Sequence, residues 1–119
     1  MPKNLKKFEL IRVGCDFDET LCHSHYDEAT SKWVMGVPVS GAREALEEMK
    51  KLGYKPWVFT ARPSFEEIEI WEWLTRWGLK KYIHGVVTGK PLFKVVIDDR
   101  SIRFRGDWAS CIKQLEGMK

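Results

Sequence analysis

Four short apolar runs, LIRVGCDF, KPWVFTA, IHGVV and FKVVID, are separated along the chain by helix-like patterns and polar turns, and this alternation narrows the fold more than any other feature. Leu10 to Phe17 reads as a mostly apolar, buried strand of the kind found in parallel sheets. From about Ser40, the residues Ala42, Ala45, Leu46, Met49 and Leu52 fall at helical spacing, and Gly53 is placed to stop the helix. A second helix is signalled by Ser64 and Glu67 as a capping box, with Ile68, Trp71, Leu74 and Trp77 near one face and Gly78 at its end. SIRF reads as a short edge strand, and Asp107 is placed to cap a last helix carrying Trp108, Cys111, Ile112 and Leu115. Strands alternating with helices predict an α/β layered domain with a mainly parallel sheet and right-handed crossovers.

In such sheets, sites form beyond the carboxyl ends of the strands. The first run ends in Asp16 and Asp18, separated only by Phe17, and the second ends in Thr60. The fourth ends in Asp98 and Asp99, and Lys90 lies in the loop before it. Charges at the end of a buried strand are costly unless a cation, a hydrogen-bond network or a reaction needs them. Several carboxylates at one edge call for a cation, and an all-oxygen ligand set favours a hard ion such as Mg²⁺. Lys90 and the hydroxyl of Thr60 suit phosphate oxygens, the lysine as a point charge. A carboxylate beside Mg²⁺ and a lysine can attack phosphorus and form an aspartyl-phosphate. The second aspartate is then available to protonate the leaving oxygen and later to activate water.

DFDET, FTARP, GKP and VVIDDR resemble, in order and spacing, the four motifs of the haloacid dehalogenase superfamily of phosphatases and phosphotransferases. The resemblance spans nearly the whole chain after Leu10; each motif alone is weak, and their order carries the specificity. It implies a Rossmann-like three-layer α/β sandwich. By the same resemblance, Asp16 is the nucleophile and a Mg²⁺ ligand, and Asp18 is the general acid and base that also offers Mg²⁺ its backbone carbonyl. Thr60 and Lys90 bind the phosphoryl group, Asp98 is a Mg²⁺ ligand, and Asp99 is a neighbouring or alternative ligand. Lys94 competes with Lys90, which is preferred because it precedes Pro91. Arg62 either binds substrate phosphate or pairs with Glu66 or Glu67.

One departure is Glu19, where many members have glycine after the second aspartate. DETL also resembles phosphatases acting on the RNA polymerase tail, whereas IDDR and the arginine of TARP look more like the phosphatase half of polynucleotide kinase–phosphatases. The subfamily stays open, a nucleic-acid 3′-phosphate end-processing enzyme among its members. Cap domains in this superfamily occupy one of two slots. The later slot here is only TGK, and the earlier one, Leu21 to Val39, holds a flap hairpin at most. A capless site either admits a large substrate, such as a nucleic-acid end or a phosphoprotein, or is covered by another subunit.

At 119 residues the chain fits a single domain over residues 1–119. Its apolar runs are too short to span a bilayer, and no apolar stretch of signal-peptide length follows the basic N-terminus, so a cytoplasmic location is expected. Cys15, Cys22 and Cys111 are an odd, widely spaced set that suits reduced thiols rather than a zinc site or a disulfide framework. Cys15 reads as a packed strand residue rather than a second nucleophile. The net charge of +3 is a weak bias toward anionic partners, with nucleic acid and a homo-oligomer both left open. His23 and His25 alternate as metal ligands do, but a flap needs no metal. Trp33 in the flap either stacks on a base or sugar or anchors the hairpin. A phosphorylation-dependent receiver domain would end its first strand in paired acids, its third in a lone aspartate and its last in lysine; here the adjacent pair Asp98 and Asp99 ends the fourth run and Lys90 precedes it, so that class fails on order. A non-catalytic Mg²⁺-binding scaffold remains the alternative to a hydrolase.

Overall fold

A computed structural model of the chain describes residues 11–118. In chain order the elements are β1 (Arg12–Cys15), β2 (Cys22–Asp27), β3 (Lys32–Pro38), α1 (Ala42–Lys51), β4 (Lys55–Phe59), α2 (Glu67–Arg76), β5 (Val86–Val87) and α3 (Trp108–Glu116). β1, β4 and β5 form a parallel sheet in that spatial order, with Cys15 beside Val58 and Phe59 beside Val87. β2 and β3 form a separate antiparallel hairpin within the stretch 21–39. The described residues thus form an α/β fold with a small parallel sheet and three α-helices. No described helix is long and apolar enough to cross a membrane.

α1 and α3 form where the sequence pattern places them. The buried positions of α1 are Ala42, Ala45, Leu46 and Met49, and Gly53 ends it with a φ of 92°. Asp107 caps α3 by accepting hydrogen bonds from the Ala109 and Ser110 amides at 3.0 and 3.4 Å. Trp108, Cys111, Ile112 and Leu115 are buried on its inner face. Tyr54, just before β4, donates its hydroxyl proton to the Leu115 carbonyl at 3.0 Å, tying the end of α3 to the core.

α2 differs from expectation in both its start and its face. A 3₁₀ turn at Ser64–Glu66 precedes it, and the Glu67 amide bonds to the Ser64 carbonyl, so the Ser64 side chain makes no cap. The Glu67 carboxylate accepts from the Trp71 indole at 3.2 Å instead of closing a capping box. The buried residues are Ile70, Trp73 and Leu74, whereas Ile68 is 72% exposed and Trp71 and Trp77 are only partly covered. Trp73 sets this rotation: its ring meets Phe17 edge-on at 5.1 Å, and its indole N–H donates to the Gly36 carbonyl at 2.7 Å. An aromatic pair and a satisfied indole together outweigh a nominal helical stripe.

Three further expectations fail. The third run contributes only the two residues of β5. FKVVID forms no strand; Phe93, Val95, Val96 and Ile97 lie 62–97% exposed. SIRF forms no strand either, although Ile102 and Phe104 pack against the core. With fewer than about four residues of alternation or partners, a short apolar run reads alike as strand or loop, and tertiary pairing decides. The expected start of the first strand, at Leu10, lies outside the described residues.

Candidate active site at the strand ends

Because β1 and β4 are parallel and in register, their carboxyl ends open on the same edge. Asp16 follows β1 directly, and alternation turns Phe17 inward, fully buried, while Asp16 and Asp18 stay toward solvent. The chain then turns sharply: the amides of Thr20, Leu21 and Cys22 all donate to the Phe17 carbonyl, at 3.2, 3.0 and 2.9 Å. Buried Phe17 and Leu21 pin this turn from below, which fixes the two acids above it.

Thr60 follows β4, and its amide donates to the Val87 carbonyl at 2.9 Å. The loop after β5 comes back to it: the Gly89 amide donates to the Arg62 carbonyl and the Lys90 amide to the Thr60 carbonyl, both at 2.9 Å. Lys90 is thereby delivered to Asp16, with Nζ 3.3 Å from Oδ1. The Phe17 amide donates to the same oxygen at 2.9 Å. The lysine beside Asp16 is Lys90; Lys94, beyond Pro91, lies exposed.

Asp18 is held by two side chains. Arg62 forks onto it, with Nε 3.0 Å from Oδ2 and Nη2 2.7 Å from Oδ1, and Ser24 Oγ donates to Oδ1 at 2.6 Å. Arg62 Nη1 reaches Glu66 Oε1 at 2.8 Å. The Arg62 side chain is only 6% exposed, so burial pulls against its charge; the bonds to Asp18 and Glu66 prevail and hold the guanidinium above its ordinary pKa. Arg62 therefore faces Asp18 and Glu66, and its Nε, Nη1 and Nη2 are all engaged there. Thr60 is fully buried, and its hydroxyl oxygen accepts from the Arg62 amide at 3.1 Å.

The chain's edge is thus largely balanced by its own groups, with Asp16, Asp18 and Glu66 set against Lys90 and Arg62. Asp98 and Asp99 do not join them. Both are exposed, with Asp98 Oδ1 accepting from the Arg100 amide at 3.1 Å and Asp99 3.8 Å from the Arg100 guanidinium. That bond to the Arg100 amide is the first of several contacts that hold the Asp98 carboxyl below its usual range. Their displacement follows from the missing strand over residues 93–98. Among the described residues, no group of three or more histidine, cysteine, aspartate or glutamate side chains is placed to hold a metal ion.

Burial pushes the Cys15 thiol up to about 12, with Cys111 and Asp16 adding to it, so it stays protonated at neutral pH beside Asp16. His23 and His25 are exposed on the hairpin. Of the residues around Asp18, Glu66 is the pairing partner expected for Arg62 and Glu19 is the departure from glycine already noted, whereas Ser24 escapes motif reading. Glu66 stands four residues after Arg62, a spacing that favours an ion pair once the backbone turns. Glu19 adopts the left-handed backbone, φ 61°, that glycine tolerates best, and its carboxylate accepts from the Ser24 amide at 2.7 Å. Nothing in the sequence marks Ser24.

No family model, no curated protein and no solved structure matches this chain.

Proposed function

We propose that the protein is a Mg²⁺-dependent phosphomonoester hydrolase of haloacid dehalogenase type, on a capless Rossmann-like scaffold, working through an aspartyl-phosphate on Asp16. The observation that carries this reading is the ammonium of Lys90 at 3.3 Å from Asp16, with Asp18 clamped two residues on. Lys90 holds a phosphate oxygen beside Asp16. The Asp16 carboxylate attacks phosphorus, the bond to the leaving oxygen breaks, and protonated Asp18 gives that oxygen its proton. Asp18, now ionised, takes a proton from water. The resulting hydroxide attacks phosphorus, the bond to Asp16 breaks, and inorganic phosphate leaves. Arg62 and Ser24 orient Asp18, and proton transfer requires one of the Arg62 bonds to open.

Mg²⁺ would supply charge neutralisation for the phosphoryl oxygens. Asp16 and the Asp18 carbonyl are oxygen donors of the right kind, but with Asp98 and Asp99 facing solvent the set is incomplete as the chain stands. The proposal therefore includes a rearrangement: residues 93–97 pair alongside Val13–Cys15, since β1 is the outer strand of its sheet among the described residues. This would cover four apolar side chains now 62–97% exposed and bring Asp98 and Asp99 toward Asp16. The opposing, non-catalytic reading draws on the Arg62 fork, which would serve equally as a structural polar network.

The test is phosphate release, with Mg²⁺ and with chelator, from an aryl phosphate, nucleotides, sugar phosphates, a phosphopeptide and a 3′-phosphorylated oligonucleotide. Metal-dependent release from any of them supports a hydrolase, and the pattern names the substrate class. No release from all of them rejects it in favour of the scaffold.

A further inference from the structure

The hairpin carries an aromatic pair that the chemistry above leaves unused. Tyr26 and Trp33 face one another across β2 and β3. Their ring centroids are 5.7 Å apart with planes at 66°, and the residues are 48% and 52% exposed. Rings that anchor a hairpin to the body are buried against it; these are not.

Side chains alternate along a strand, so Ser24 and Tyr26 share one face of the hairpin, as do their partners Met35 and Trp33. That face is the one turned to the site: Ser24 Oγ bonds Asp18 at 2.6 Å, and Met35 packs against the core. Two residues farther on, about 7 Å along the strand, the same face presents the aromatic pair to solvent. The order from the lysine outward is therefore a phosphate position at Lys90 and Asp16, a polar stretch at Asp18 and Ser24, and an exposed aromatic pair set edge to face.

A nucleotide has the same order of phosphate, sugar and flat base. We propose that Tyr26 and Trp33 form a stacking platform for the base of a nucleotide phosphomonoester, the phosphate lying at Asp16 and Lys90; this rests on the hydrolase reading. A sugar phosphate is too short to use the platform, because its sugar would occupy the stretch over Asp18 and Ser24. Base stacking on aromatic side chains is sequence-tolerant, so the same surface serves a free mononucleotide or the phosphorylated end of a strand.

The experiment compares wild type, Trp33→Ala and Trp33→Phe on adenosine monophosphate, a 3′-phosphorylated oligonucleotide and glycerol phosphate. Trp33→Ala is expected to lower kcat/KM at least about 10-fold for one or both base-bearing substrates, with glycerol phosphate unchanged and Trp33→Phe restoring most of the loss. A loss confined to the oligonucleotide identifies strand ends as the source, and a loss on the mononucleotide identifies free nucleotides; either supports the platform. An equal loss on glycerol phosphate, or no loss at all, overturns it. If no ester is hydrolysed the catalytic reading fails, and the platform is judged alone by titrating adenosine monophosphate into Asp16→Asn and Asp16→Asn/Trp33→Ala. Binding weakened by the Trp33 change supports the platform, and equal or absent binding overturns it.

Discussion

Replacing Arg62 by methionine keeps an unbranched apolar stem of similar length while removing the guanidinium, whose carbon lies over the Phe17 ring at 5.6 Å from its centroid. The lost contacts are the fork onto Asp18, at 2.7 and 3.0 Å, and the bond to Glu66 at 2.8 Å. Breaking a fully buried pair by removing one partner costs about 3–5 kcal/mol, and a fully exposed pair is worth under about 1 kcal/mol. Arg62 lies near the first limit, with its side chain 6% exposed, but Asp18 and Glu66 are 27% and 24% exposed and water can reach them once the arginine is gone. The expected loss is therefore about 2 kcal/mol, between the two limits. Glu66→Gln removes one charge from the rim of the network and should cost about 0.5–1 kcal/mol. Urea unfolding followed by circular dichroism measures both, and a double-mutant cycle of Arg62→Met with Asp18→Asn isolates the fork, with a coupling of about 1–2 kcal/mol expected. A cost below about 0.5 kcal/mol for Arg62→Met, or no coupling to Asp18, would refute the clamp and with it the claim that Arg62 positions the acid.

Three further outcomes are expected. Glu19→Ala keeps the left-handed backbone and loses the bond to the Ser24 amide, costing about 1 kcal/mol, whereas Glu19→Gly relieves the backbone and stays within about 0.5 kcal/mol of wild type; equal stabilities by urea unfolding would count against both terms. The Cys15 thiol is pushed from its ordinary value of 9.0 to about 12, so its stabilising effect is complete below pH 9 and drains away as pH rises from 9 toward 12. Cys15→Ala should flatten that part of the alkaline decline, and alkylation of native Cys15 at pH 8 by iodoacetamide, read by mass spectrometry, would contradict the burial. Finally, Mg²⁺ with a phosphate analogue should slow amide exchange across residues 93–97, and unchanged exchange would sink the proposed strand pairing.

Some parts of this chain are legible because short-range rules suffice for them. Asp107 caps α3, and the buried face of α1 follows from local spacing alone. The juxtaposition of Asp16, Thr60 and Lys90 needs only parallel pairing and a loop that returns to its strand end, both of which the alternation of elements implies. The misread features all depend on distant partners. Trp73 turns α2 because Gly36, 37 residues earlier in the chain, offers it a carbonyl. Ser24 becomes a partner of Asp18 because of where the hairpin folds back. FKVVID has the composition of a strand, but composition cannot say whether a sheet edge accepts it, and Asp98 and Asp99 go wherever that run goes. Arg62 sits between these cases: both of its foreseen roles were local or substrate-facing, while its strongest partner lies 44 residues away.

The central claim is that Asp16 is the group that attacks phosphorus. Mg²⁺-dependent phosphate release by wild type and by Asp16→Asn, on whichever ester the wild type hydrolyses fastest, tests it most directly. Loss of about three orders of magnitude or more in the variant, with an unchanged circular dichroism spectrum, is the expected result. Turnover by Asp16→Asn within a few-fold of wild type would contradict the account.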